Sequence, residues 1–257
     1  MNNRVLREKK AHDEDDVLGQ SFKLKQRFSH IMTYPGHLRL FGKVKEAYSL
    51  NDKPMKILDY GCGLGDRSFE MATFGHDITG IDLSSNYIKL ANTKNVKRSF
   101  DNISFIEMDA HKLKFDNEAF DLVIGDGILH HLDFEQALIE VRRVLKKGGV
   151  AIFKEPLADN PLLKLFRFLT PKARTVDEAP FSGKDLNKIL NYNLWNVKET
   201  YFCGLTSSTV AILTSLFLRN RPQNFLLKLS DKLDLFLNKF KFFYSYNQYV
   251  LFHLKKK

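Results

Sequence analysis

From residue 55 the chain alternates short apolar runs with longer segments of helical period. MKILDY (55–60), DITGID (77–82), ISFIEMD (103–109), FDLVIGDG (120–127) and GVAIFKE (149–155) are short, apolar and bounded by turn residues, the pattern of buried strands. Between them, DRSFEMATFG (66–75), SSNYIKLANTKNVKRSF (84–100) and DFEQALIEVRRVLKK (133–147) predict helices. Asp66 and Ser84 or Ser85 open the first two, and Gly75 and Gly148-Gly149 are the expected stops. A further helix is predicted over PGHLRLFGKVKEAYSL (35–50). Near the end, WNVKETYF (195–202) and YNQYVLFHL (246–254) read as two more strands, separated by the largely helical segment 207–243. Strands alternating with helices imply an α/β fold with a doubly wound, mostly parallel sheet covered on both faces.

Length and composition change this picture little. The 257 residues suit one large α/β domain able to bury a core without staples. Cys62 and Cys203 are far apart, so neither a disulfide framework nor a zinc site is indicated, and a reducing, cytoplasmic setting is expected. The charged opening MNNRVLREKKAHDEDD lacks the apolar stretch of a signal peptide. The longest late apolar run, VAILTSLFL (210–218), holds nine residues, too few to span a bilayer as a helix. The net charge of +10 sits at the ends: residues 1–55 carry 11 Lys/Arg against 7 Asp/Glu, and 219–257 carry 9 against 2. Such flanks fit either a solubilising surface or an anionic partner.

The chemistry concentrates after the first strand. LDYGCGLGDRS (58–68) places Gly61, Gly63 and Gly65 in a turn that lets backbone approach a ligand at the carboxyl edge of the sheet. Asp82 ends the second strand 21 residues after Gly61, placed to accept hydrogen bonds from ribose hydroxyls. The nicotinamide fingerprint wants glycine at position 66, where Asp66 stands. A third acid, Asp109, ends the third strand.

LDYGCGLGDRS, ITGIDLS, FIEMDAHKLKFDNEAFDLVIGDGILHHL and EVRRVLKKGGVAIFKEP, in that order, resemble successive motifs of the class I S-adenosylmethionine-dependent methyltransferases over roughly residues 55–156. The resemblance implies a seven-stranded sheet with an antiparallel seventh strand between the fifth and sixth. It also implies S-adenosyl-L-methionine as cofactor. Asp59 and the turn Gly61–Gly65 would face its methionine part, and Asp82, with Leu83, its ribose. Asp109 with the Ala110 backbone would read adenine. Gly125 and Asp126 would lie near the amino group and the sulfonium. The organisation expected is an N-terminal helical lid (1–54) and a methyltransferase domain (55–257) with helical cap insertions at about 157–182 and 205–243.

His130 and His131, in GDGILHHLD, are candidate catalytic residues. Metal ligands on a helix usually come at i, i+4, and adjacent histidines in extended chain point to opposite sides. No nearby carboxylate or cysteine cluster completes a site, so no metal is expected. The family often carries LHHL at the rim of the active site. One histidine is then a candidate base for the acceptor, His130 before His131. The alternative is that both hold the loop by hydrogen bonds and packing.

The acceptor is less constrained. Cytosine C5 methylation would need a cysteine after the fourth strand, and nucleobase amino groups are commonly handled by an Asn/Asp-Pro-Pro-aromatic turn there; neither stands at GDGILHH, and DNPL (159–162) follows the fifth strand instead. The segment 154–181 should lie over the mouth of the site. It resembles relatives that methylate sugars, glycoconjugates or secondary metabolites. Glu155, Arg174, Asp177 and Glu178 are candidate substrate contacts, as are His30, Tyr34 and His37 from the N-terminal side, each weighed against an ordinary structural role. Residues 225–252 interleave aromatics with lysines. That stripe either packs on the core, or lies on a membrane surface or over a lipid-like substrate. The function expected is O-methylation of a small-molecule, sugar, glycoconjugate or lipid-like acceptor. An RNA methyltransferase, for which no recognisable nucleic-acid module stands in the chain, and a non-catalytic cofactor-binding protein are the alternatives.

Overall fold

The computed structural model describes residues 3–14, 23, 26–171, 175, 177–219 and 221–257. One seven-stranded sheet organises them: β1 (Lys56–Tyr60), β2 (Asp77–Asp82), β3 (Ile103–Glu107), β4 (Phe120–Asp126), β5 (Leu145–Pro156), β6 (Trp195–Cys203) and β7 (Tyr249–Lys256). Their order is β3-β2-β1-β4-β5-β7-β6. β7 runs antiparallel to both neighbours, and the pairings among β1 to β5 are parallel. This is the expected doubly wound topology with its antiparallel seventh strand.

Period-two alternation decides which side chains face which layer. In β4, Leu122 and Ile124 join one core while Val123 joins the other. The first core receives Ala137, Leu138, Val141 and Val144 of helix α5 (Phe134–Val144) and Leu186 and Ile189 of α7 (Gly183–Leu190). The second receives α2 (Pro35–Ser49), α3 (Asp66–Ala72), α4 (Ser85–Arg98), α8 (Ser207–Phe217) and α9 (Phe225–Leu237). A short helix α1 (Asn3–Asp13) crosses the carboxyl edge, and α6 (Pro161–Leu169) follows β5. No helix of the described residues is long and apolar enough to cross a membrane.

Local signals set several boundaries. Ser84, not Ser85, caps α4, its hydroxyl accepting from the Tyr87 N–H at 3.2 Å; Asp133 does the same for α5. Two boundaries differ from expectation. The helix starting at 134 ends at Val144, before Gly148-Gly149, because Leu145 turns extended, buries its side chain and pairs with Phe120. β5 therefore begins four residues early, and Gly148 supplies a positive φ of 73° within it. β3 stops at Glu107, leaving Asp109 in the turn beyond.

Candidate active site

The turn after β1 folds back onto the end of β2. The N–H groups of Gly61 and Cys62 both donate to the Ile81 carbonyl, at 2.9 and 2.8 Å, and the Gly63 N–H donates to Asp82 Oδ2 at 2.9 Å. Gly61 adopts a φ of +77°, and a Cβ there would stand 2.9 Å from the Ile128 side chain, so both conformation and space require glycine. The other Asp82 oxygen accepts from the Ser84 N–H at 2.9 Å. Two of the carboxylate's roughly four acceptor positions are thus used, which leaves capacity for a ligand. Burial outweighs these bonds and raises the Asp82 pKa above the ordinary value. Asp109 uses Oδ1 to accept from the N–H and Nδ1 of His111, whose Nε2 accepts from the Asp133 N–H at 3.0 Å.

Asp82, Leu83, Asp109 and Ala110 line a cleft of about 190 Å³, together with Gly61, Gly63 and Tyr87. Helix α1 forms the opposite wall with Val5, Glu8 and His12. It is tied down along its length: Arg4 donates to the Asp177 carbonyl at 3.0 Å, Arg7 makes a two-pronged bond to the Asp177 carboxylate, and Asp13 accepts from the Ser84 hydroxyl at 2.7 Å. In its middle, buried Glu8 meets His131 Nδ1 at 3.1 Å, His12 Nε2 at 3.4 Å and the Thr175 hydroxyl at 2.8 Å. Burial alone would raise the Glu8 pKa, but bonds from His12 and His131 pull it well below the carboxylate range.

A second cavity of about 680 Å³ shares Gly61, Gly63, Tyr87, Gly127, His12 and His131 with the first. Asp59 and Asp126 stand in its wall. Asp59 is buried, accepts the Ser68 hydroxyl at 2.5 Å, and burial pushes its pKa to about 6. Asp126 pairs with Arg67 at 2.7 Å and Lys154 at 2.9 Å. Burial opposes its ionisation, but the Lys154 ammonium and Arg67 guanidinium prevail and lower its pKa. The remaining wall is mixed: Phe28, Ile31, Met32, Phe41, Leu163 and Phe166 are apolar, and His37, Arg167, Thr175, Glu178 and Gln248 are polar or charged.

The two histidines lie side by side, not on opposite sides, because Leu129–His131 form a 3₁₀ turn; their ring centroids are 4.2 Å apart. His130 Nδ1 stands 2.7 Å from Oε2 of fully buried Glu155, and its Nε2 is 3.9 Å from Glu178. Both histidines line the larger cavity. The expectation that no carboxylate accompanies them is corrected by the fold, which brings Glu8 and Glu178 to them from distant parts of the chain. Among the described residues, Glu8, His12 and His131 form one group of potential ligand atoms within 4.8 Å of one another, and His130, His131 and Glu178 another. The Glu8 contacts are at hydrogen-bond distances.

Other expected site residues are placed elsewhere. Glu155 is not exposed to a substrate: it accepts the N–H groups of Ile128 and Leu129 at 3.1 and 2.9 Å and holds the histidine turn. His30 is fully buried, with Nδ1 2.8 Å from the Thr214 hydroxyl, and Tyr34 is buried against Cys203 and Gln248; neither lines either of these two cavities. His37 does line the larger one. Gly65 packs under Phe105 and Gly125 under Phe153, where a Cβ would approach to 2.5 and 2.6 Å, so both serve packing and not the cavity walls. Asp177 is engaged by Arg7, and Arg174 lies outside the described residues.

Sequence reasoning missed Glu8, His12, Arg67 and Lys154. Lys154 had a local signal, a lone cation inside the apolar run VAIFKE, which burial obliges to find a partner. Glu8 and His12 had a weaker one, i, i+4 spacing on a short charged helix.

Comparison with known proteins agrees with this architecture. Residues 51–195 match a family model described as a methyltransferase domain. Demethylmenaquinone methyltransferase of Staphylococcus aureus is 32% identical over 145 residues, covering 55% of this chain and 58% of that protein. Its counterpart from Chlorobaculum tepidum is 38% identical over 108 residues, 41% of this chain and 43% of that one. The chain thus spans about half the length of these curated relatives. Among solved structures, phosphoethanolamine N-methyltransferase 2 of Haemonchus contortus shares the fold with a TM-score of 0.61 at 19% identity, covering 90% of this chain and 56% of that one. The YcgJ protein of Bacillus subtilis gives 0.57 at 17% identity, covering 86% and 99%.

Proposed function

The chain belongs to the class I S-adenosylmethionine-dependent methyltransferase family, and on that premise we propose that it transfers a methyl group from S-adenosylmethionine to a small-molecule acceptor with both apolar and polar parts. The observation that carries this reading is the junction of the two cavities. An acid-lined cleft and a larger cavity walled by both apolar and charged side chains meet at Gly61, Gly63, Gly127 and His131.

The residues present fit the cofactor. Gly61 keeps open a space that a Cβ would fill, and the cleft offers carboxylates to hydroxyl and amino groups. Asp82 takes the ribose hydroxyls, and Asp109 with the Ala110 backbone reads adenine. Gly61, Gly63 and Asp59 hold the methionine end, with Asp126 kept ionised beside it by Lys154 and Arg67. When bound, S-adenosylmethionine supplies an activated sulfonium methyl. The protein's task is then to align the acceptor and exclude water, which is worth on the order of 7–11 kcal/mol.

His130 is the proposed base. Glu155 fixes the Nδ1–H tautomer and leaves Nε2 as acceptor. Phe28, Ile31, Met32, Phe41, Leu163 and Phe166 accommodate an apolar part of the acceptor, while Arg167, Glu178 and Gln248 offer partners to its polar groups. The group His130 deprotonates is a hydroxyl, whose oxygen then receives the methyl group. Methylation of an adjacent ring carbon is the second reading, favoured by the names of the curated relatives.

Calorimetric titration with S-adenosylmethionine tests the cofactor half. Wild-type protein binds, and Asp82→Ala weakens binding more than tenfold with unchanged circular dichroism. Undiminished affinity in that variant contradicts the assignment.

A further inference from the structure

Helix α9 is folded with its apolar side outward. Its buried positions are Leu227, Ser230, Asp231 and Asp234. Arg39 grips Asp231 through two bonds of 2.6 and 2.8 Å, and Asp234 accepts the N–H and hydroxyl groups of Thr206 and Ser207. Polar anchors therefore hold the helix to the body. Leu226, Leu229, Leu233 and Phe236, following at spacings of three and four, are all about half exposed, and Phe225 is 73% exposed. Leu213, Leu216 and Phe217 of the packed neighbour α8 are also exposed. Just past α9, Lys239, Phe240, Lys241 and Phe242 are all exposed.

We propose that this outward face of α9, with the Lys239–Phe242 stretch, is a docking surface for an anionic lipid bilayer. Charge decides the occupant. Asp231 and Asp234 are the acids of residues 219–257, and both are turned inward, so the charged side chains left around the apolar face, Lys228, Lys232, Lys239 and Lys241, are all basic. A second copy would present the same positive rim and be repelled. Apolar residues flanked by lysines are the chemistry of a helix lying in a headgroup layer, where the lysine stems extend toward phosphate. The surface stands apart from the methyl-transfer reading, since its test involves no turnover.

The test is co-sedimentation of the whole chain with vesicles of phosphatidylcholine alone, or phosphatidylcholine with phosphatidylglycerol. The expected result is at least tenfold greater partition onto the anionic vesicles, falling as salt is raised. Leu229→Ser with Phe236→Ser reduces it to the neutral-vesicle level at unchanged circular dichroism. Lys232→Glu with Lys239→Glu lowers it roughly tenfold or more. Ile139→Ser, at a half-exposed position of α5 on the opposite layer of the sheet, leaves it unchanged. Wild-type protein staying in the supernatant with both vesicles overturns the proposal. So does a dimer in sedimentation velocity that the serine pair dissolves, which would make a second copy the occupant.

Discussion

His130 Nδ1 and Glu155 Oε2 stand 2.7 Å apart, in a pocket where the carboxylate is fully buried and also holds three backbone N–H groups of the same turn. One acidic side chain thereby sets both the position of the histidine and the tautomer that faces the cavity. If His130 is the base, His130→Ala lowers turnover ~10²–10⁴-fold while S-adenosylmethionine affinity stays within about twofold, since the imidazole is not among the groups assigned to the cofactor. Steady-state kinetics beside calorimetry separates the two effects. Undiminished turnover removes His130 from the mechanism.

Asp59 carries a cost that function explains. Burial raises its pKa from 3.8 to about 6, so between those values the folded protein retains a proton that the unfolded chain has lost. Stability contributed by that proton is present at low pH and is lost as pH rises through about 6. The displacement corresponds to roughly 3 kcal/mol. Asp59→Asn should therefore raise the melting temperature at pH 8, with a shrinking difference toward pH 4, and weaken S-adenosylmethionine binding more than tenfold. A variant less stable than wild type at pH 8 contradicts the electrostatic account.

Helix α1 is held over the cleft by groups that titrate in opposite senses. The Glu8 pKa is depressed, so its contribution is present above about 4.5 and lost as pH falls below that value. For His12, burial lowers the pKa, but Glu8, Asp82 and Asp13 raise it further, leaving it above 6.5. Its contribution is full below 6.5 and lost as pH rises through the elevated value. The clamp should be tightest between about pH 4.5 and 6.5. Hydrogen exchange of residues 3–13, corrected for the intrinsic pH dependence, should show maximal protection there, and Glu8→Gln should flatten the profile. A wild-type profile that is flat across the same range contradicts the assignment.

The strands of the core and the acids at their ends were legible because parallel strands are continuous apolar runs and each acid terminates one. Asp82 lines the cleft from the end of β2, and Asp109 from the turn two residues past β3. What stayed hidden was long-range pairing. Nothing near His131 announces Glu8, which is 123 residues away, and nothing near His130 announces the burial of Glu155 beneath it. Periodicity also fails to say which side of an amphipathic helix faces inward. The aromatic-lysine segment fits core packing as well as a surface role on pattern alone. Only the Arg39–Asp231 and Thr206–Asp234 contacts show that the polar side of α9 is the buried one. At Gly148-Gly149 a helix-stop signal was instead a bend inside β5, since Leu145 gains more from pairing with Phe120 than from extending the helix.

The central claim is methyl transfer to a small-molecule acceptor, and a label partition tests it most directly. The purified chain would be incubated with methyl-labelled S-adenosylmethionine and a cell extract, and the lipid, small-molecule, polysaccharide, RNA and protein fractions counted. The account predicts label in the lipid or small-molecule fraction, abolished by Asp82→Ala and strongly reduced by His130→Ala. Label concentrated in RNA would contradict the acceptor class, and cofactor binding with no label in any fraction would contradict catalysis itself.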